Sequence, residues 1–166
     1  MLCFSIFRKK PLVFKVKIGG PETTDEIARY LEDKGYDFVN GNITQKNFPL
    51  KSRKTLEERK IVIHAPGGPF TKDEGFAILK SIGLLPPTYE DALRFARQHR
   101  KVIFSSKKRT IAFLHEPWRD ETNNLRIICL DRSMGDVSLD LHYINGWEDG
   151  GIYRFDDNYV LAGVLP

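Results

Sequence analysis

Side chains able to carry covalent or metal chemistry are few in this chain of 166 residues, and they are scattered. There are two cysteines, Cys3 and Cys129, and four histidines, His64, His99, His115 and His142. A zinc site needs three or four N, S or O ligands converging on one point. No two histidines stand at i, i+3 or i, i+4, and neither cysteine lies near one in sequence. No metal or other cofactor is therefore expected. A nucleophilic cysteine needs a neighbouring base and an electropositive setting. Cys129 sits inside the apolar run 125–130, where a small buried hydrophobe is expected, and Cys3 sits in an apolar stretch as well. Gly67-Gly68 could present backbone amides to an anion, but the GxxxxGK[ST] and GxGxxG spacings are absent, and a turn accounts for the pair. The carboxylate pairs Glu148-Asp149 and Asp156-Asp157 lack the alternating acidic loop of a calcium site. An enzyme of unidentified reaction stays open as one alternative, with His115 and Glu116 as acid/base partners.

The elements that must position these groups are legible from pattern. Residues 12–18 (L-V-F-K-V-K-I) alternate as a strand does, and Gly19-Gly20-Pro21 stops them. Thr23 and Glu26 have capping-box spacing, with Ile27, Tyr30 and Leu31 on one helical face and Gly35 at its end. A short extended piece follows at 36–39. Residues 40–59 read as a loop with little regular structure. Residues 60–65 read as a strand closed by Pro66-Gly67-Gly68-Pro69. Thr71 to Glu74 is a second capping box, with Phe76, Leu79 and Ile82 as the stripe and Gly83 as the stop. Thr88 and Asp91 begin a third helix, with Tyr89, Leu93 and Ala96 facing inward. From residue 101 the period becomes two, with strands expected at 102–104, 110–115, 125–131, 137–144 and 159–164. Strand, helix, helix, then a run of strands argues for an α+β fold with a mostly antiparallel sheet, and against a doubly wound one.

Composition sets wider bounds. Apolar residues at 41% and charged residues at 29% exclude a disordered chain, a collagen-like fibre and a coiled coil. No apolar run approaches the roughly 20 residues that span a bilayer. The opening M-L-C-F-S-I-F-R-K-K-P has neither a basic leader nor a small-residue cleavage site, so no signal peptide is expected. Charge is uneven. Residues 1–60 carry 13 Lys and Arg against 8 Asp and Glu, residues 61–120 carry 10 against 6, and residues 121–166 carry 3 against 8. The basic segments 51–60 and 100–109 make a nucleic-acid-associated protein a second alternative. Few aromatics interleave with those cations, and the acidic last third would repel a phosphate backbone, so nucleic acid is not the expected partner.

Residues 139–159 (L-D-L-H-Y-I-N-G-W-E-D-G-G-I-Y-R-F-D-D-N-Y) stand apart. They mix aromatics, short polar groups and three glycines, the composition of a binding loop. Tyrosine and tryptophan give one apolar and one wet end, which suits an interface. A plain structural role for Phe155 and Tyr159, as plugs of the core, is the simpler reading.

Three segments carry a resemblance: V-K-I-G-G-P-E-T-T-D-E-I (16–27), G-L-L-P-P-T-Y-E-D-A-L-R-F-A (83–96) and S-L-D-L-H-Y-I-N-G-W…Y-R-F (138–155). They are similar to small proteins of uncultivated microbes and their viruses that are akin to the variable proteins of diversity-generating retroelements. The resemblance implies a C-type-lectin-like fold, with two helices flanking the sheet and the N- and C-terminal core strands, 61–64 and 159–164, paired. It implies residues 1–59 as a strand-helix extension packed on a ligand-binding domain of 60–166. It implies a ligand-binding protein rather than an enzyme, with a diversified surface for a protein ligand; the missing signal peptide makes a cytoplasmic or virion-associated setting the expected one. Carried over by position, that surface is His142, Tyr143, Asn145, Trp147, Glu148, Asp149, Ile152 and Tyr153. The calcium motifs of animal lectins are missing, since Glu116-Pro117-Trp118 keeps only part of an E-P-N tripeptide, so calcium-dependent sugar binding is not implied. Cys3 and Cys129 do not supply the paired cysteines of the sulfatase-activating enzymes that share the fold.

Overall fold

Phe14, Val16 and Ile18 turn one face of strand β1 (Leu12–Gly20) inward, as their alternation requires. The structure, a computed structural model, describes residues 12–100, 110–133, 135–145 and 153–166. Gly19 and Gly20 both take positive φ, and a Cβ on Gly19 would lie 2.6 Å from the Thr55 carbonyl oxygen, so glycine is needed there. Helix α1 (Thr24–Asp33) begins with the expected Thr23/Glu26 capping box and buries Ile27 and Leu31. The remaining elements are β2 (Phe38–Val39), β3 (Arg53–His64), α2 (Lys72–Ser81), α3 (Tyr89–Gln98), β4 (Thr110–Ala112), β5 (Trp118–Arg119), β6 (Leu125–Ser133), β7 (Asp136–Tyr143) and β8 (Tyr159–Val164). Both later helices also open with capping boxes, Thr71/Glu74 and Thr88/Asp91.

The strands form one α+β sheet in the order β1-β3-β8-β4-β6-β7-β2, with β5 joined to β6. Neighbours are antiparallel except for the β4–β8 and β2–β7 pairs. Ile61 lies opposite Val164 and His64 opposite Leu161, so segments 61–64 and 159–164 do pair. β1 and β2, from the first 59 residues, are the two outer members of this sheet, and β3 runs across residue 59.

Some expectations change. Residues 53–59 are not loop but the first half of β3, paired with β1 from Gly20↔Arg53 to Lys15↔Lys60. This half-strand is solvent-exposed, so it shows no apolar alternation. Main-chain pairing and contacts such as Lys15 to Glu58 at 3.0 Å hold it. The strand expected at 110–115 shortens to Thr110–Ala112, and the strand expected at 102–104 lies outside the described residues. On α2 the buried pair is Gly75 and Leu79, while Ile82 is exposed.

The sheet has two covered faces. α1 and α3 lay Ile27, Leu31, Leu93 and Phe95 over Val16, Ile61, Ile128 and Leu139. On the other face α2 and Phe155 cover Val62, Ala112, Ile127, Cys129 and Leu161. α2 comes close because glycine leaves room. A Cβ on Gly163 would lie 2.8 Å from the Leu79 and Leu84 side chains, and one on Gly75 would lie 2.5 Å from Leu114. Among the described residues no helix is long and apolar enough to cross a membrane.

The first two segments that carry the resemblance meet at α3. Buried Arg94 donates to Glu22 at 2.6 Å, Arg97 ion-pairs with the same carboxylate, and the Gly19 amide donates to Glu90 at 3.1 Å. Asp91, fully buried, receives the Thr88 hydroxyl and the Arg59 guanidinium. Buried charges survive here because each is paired.

Candidate functional site

Cys129 lies opposite Asp140 in the β6–β7 ladder, so Ile127, Cys129 and Asp131 share a face with Ser138, Asp140 and His142. Ile127 and Cys129 are sealed in the core, whereas Asp131, Asp140 and His142 are half-buried. One potential ligand atom from each of these three lies within 4.8 Å of the others. His142 Nε2 stands 2.7 Å from Asp131 Oδ2, and its Nδ1 stands 2.7 Å from the Tyr159 hydroxyl on β8. Thr110 on β4 donates its hydroxyl to Asp131 Oδ1 at 2.6 Å. Asn40, just past β2, donates Nδ2 to Asp140 Oδ1 at 2.7 Å. The Tyr153 hydroxyl closes the group, 3.4 Å from that of Tyr159.

Burial opposes a charge on the His142 imidazole, but the hydrogen-bonded Asp131 carboxylate outweighs it and raises its pKa above the usual range. Burial also raises the Cys129 thiol, which is therefore neutral at pH 7, so the Asp131 carboxylate is the charge that sustains the imidazolium. Burial likewise raises the Tyr159 phenol. Cys129, His142 and Asp131 look like a nucleophile with its base and orienting acid. Yet the thiol is fully buried and protonated, and both imidazole nitrogens are engaged. The group can hold a cation or fix the sheet, but it offers no nucleophile to a substrate.

The residues expected to form the binding surface divide. Trp147, Glu148, Asp149 and Ile152 lie outside the described residues. His142 and Tyr143 are adjacent on one strand and point to opposite faces, so they do not share a patch. Tyr143 lies under the Arg126 guanidinium, 4.0 Å from its ring centroid, and accepts a hydrogen bond from it at 2.7 Å. Asn145 Oδ1 accepts the Leu125 amide at 2.9 Å. Tyr153 packs edge-on against Phe155. The four described members are thus all tied into the scaffold.

His115 is buried, with Nδ1 donating to the Glu116 carbonyl at 2.6 Å and Nε2 accepting the Ile128 amide at 2.9 Å. Both ring nitrogens serve the backbone, and Glu116 points to solvent, so these two form no acid/base pair. Of the basic segments, 100–109 lies outside the described residues apart from Arg100. In 51–60, Arg53 and Arg59 are matched by Glu90, Glu57 and Asp91. Sequence reasoning missed Asp131, Asp140, Thr110 and Asn40. The available signal was two i, i+2 pairs, Cys129/Asp131 and Asp140/His142, which become one cluster only when the strand register is known. No family model, no curated protein and no solved structure matches the chain.

Proposed function

We propose that the chain is a ligand-binding protein, a variable protein of the diversity-generating-retroelement kind with a C-type-lectin-like sheet, whose residues 142–153 face a protein ligand. The observation that carries this reading is the double anchoring of that segment. At one end Ile144 is buried with its amide on the Leu125 carbonyl, and Asn145 accepts the Leu125 amide. At the other end Phe155 stacks on Phe70 at 4.9 Å and exchanges two backbone hydrogen bonds with it. The anchors belong to the core, so substitutions between them need not disturb it. The place of β8 beside β3 is a second support, because the resemblance implies that pairing. On this reading His142, Tyr143, Asn145 and Tyr153 are the platform, and Trp147, Glu148, Asp149 and Ile152 are the variable contacts.

The test is to sequence the gene across a propagated population. Substitutions at adenines, confined to the codons for residues 142–153, are expected. A spread equal to that of the rest of the gene overturns the reading. A companion measurement replaces Trp147, Glu148, Asp149 and Ile152 together by alanine. Each is expected to cost no more than about 0.5 kcal/mol, as surface changes do, and a total above roughly 3 kcal/mol makes them structural groups instead.

A further inference from the structure

We propose that Asp131, Asp140 and His142 form a binding site for a first-row divalent cation of the Mn²⁺, Fe²⁺ or Zn²⁺ class. The three donors come from two hydrogen-bonded strands and need only small rotations to close from 4.8 Å onto one ion. Each is oriented from outside the group by a different segment: Thr110 on β4 takes Asp131 Oδ1, Asn40 after β2 takes Asp140 Oδ1, and Tyr159 on β8 takes His142 Nδ1. Such outer partners leave the remaining donor atoms free to converge, the arrangement that supports protein metal ligands.

Charge argues the same way. Among the described residues the ion pair in this group joins His142 to Asp131, and Asp140 is met by the Asn40 amide rather than by a cation, so one imidazolium stands beside two carboxylates. A divalent ion would displace the proton from Nε2 and match both carboxylates. His142 would then bind as neutral imidazole, with Nδ1–H donating to the Tyr159 hydroxyl. The imidazole nitrogen disfavours Ca²⁺ and Mg²⁺, which take oxygen shells. Three protein donors leave coordination positions for water or an incoming ligand. The site shares His142 with the platform of the display reading but uses none of its variable contacts, so metal binding and display are tested separately.

Titration of the whole chain with Co²⁺ is expected to give a visible d–d absorption that saturates at about one ion per chain, the single site this donor set provides. Asn40→Ala should weaken binding about 10–100-fold, the usual effect of an outer-partner loss, and Asp131→Asn or His142→Gln should abolish it. Circular dichroism reports whether each variant folds. If the ligand variants do not fold, the unmodified protein decides. Substoichiometric Mn²⁺ should broaden the imidazole resonances of His142 before those of His64, His99 and His115. No Co²⁺ absorption in the unmodified protein, absorption that survives in folded His142→Gln, or broadening that begins at another histidine overturns the proposal.

Discussion

Two histidines, His115 three residues past β4 and His142 on β7, shift in opposite directions. Burial lowers the His115 pKa from 6.5 to about 4, against the pull of the Glu116 carbonyl. The folded state therefore prefers the neutral ring, while an unfolded chain protonates it near 6.5. Its stabilisation is complete above pH 6.5 and is lost as pH falls from 6.5 through 4, a loss of roughly 3 kcal/mol from this one group. His142 has a raised pKa, so its contribution is complete below 6.5 and does not feed this acid limb. Urea midpoints measured from pH 7 to 4 should fall less steeply in His115→Gln than in the unmodified protein. Parallel curves would assign the acid limb to other groups. The residue scale is also where sequence reading stopped short. That Cys129 is a buried thiol follows from its apolar neighbours alone, whereas the meeting of Asp131 with His142, 11 positions apart, depends on a register that no local pattern encodes.

At the scale of elements, local chemistry was enough for the helices. Each Thr-x-x-Glu or Thr-x-x-Asp box is satisfied within four residues, so Thr23, Thr71 and Thr88 were all identifiable as caps. Residues 53–59 were not identifiable as a strand, because what makes them one is the β1 backbone, more than 30 residues earlier in the chain. β1 is itself an outer strand, and α3 protects it. Gln98 accepts the Lys17 amide at 2.9 Å and donates to the Lys17 carbonyl at 2.8 Å, as a neighbouring strand would, and His99 donates Nε2–H to the Lys15 carbonyl at 2.7 Å. An uncovered strand edge is a template for association. Gln98→Ala should cost no more than about 1 kcal/mol of stability, the worth of exposed hydrogen bonds. It should instead produce concentration-dependent self-association in sedimentation velocity. Salt should strengthen that association by screening Lys15 and Lys17. A variant that stays monomeric at all concentrations would show that the lysines alone keep the edge apart.

The whole molecule is closed by one long-range decision, the placement of β8 between β3 and β4. The β3–β8 pairing had been expected from the resemblance, and the period-two pattern gave the bounds of β8, but its parallel partner β4 and the covering of its face by α2 had no local signature. That covering depends on Gly163. In Gly163→Ala the new methyl meets Leu79 and Leu84 at 2.8–2.9 Å, so their side chains, or the segment that carries them, must shift away from β8. The expected loss is about 1–3 kcal/mol, read as a lower urea midpoint, as for other overpacked cores. An unchanged midpoint would mean that the two leucines rotate aside freely.

The central seat of β8 also shapes how the chain is made. Translation delivers β3 and β4 before the strand that joins them, so until β8 emerges their facing edges are unpaired. Pairings that span about a hundred residues of chain are slow to form. Unpaired strand edges of this kind are where chaperone binding and misassembly compete with folding, and the insertion of β8 removes them.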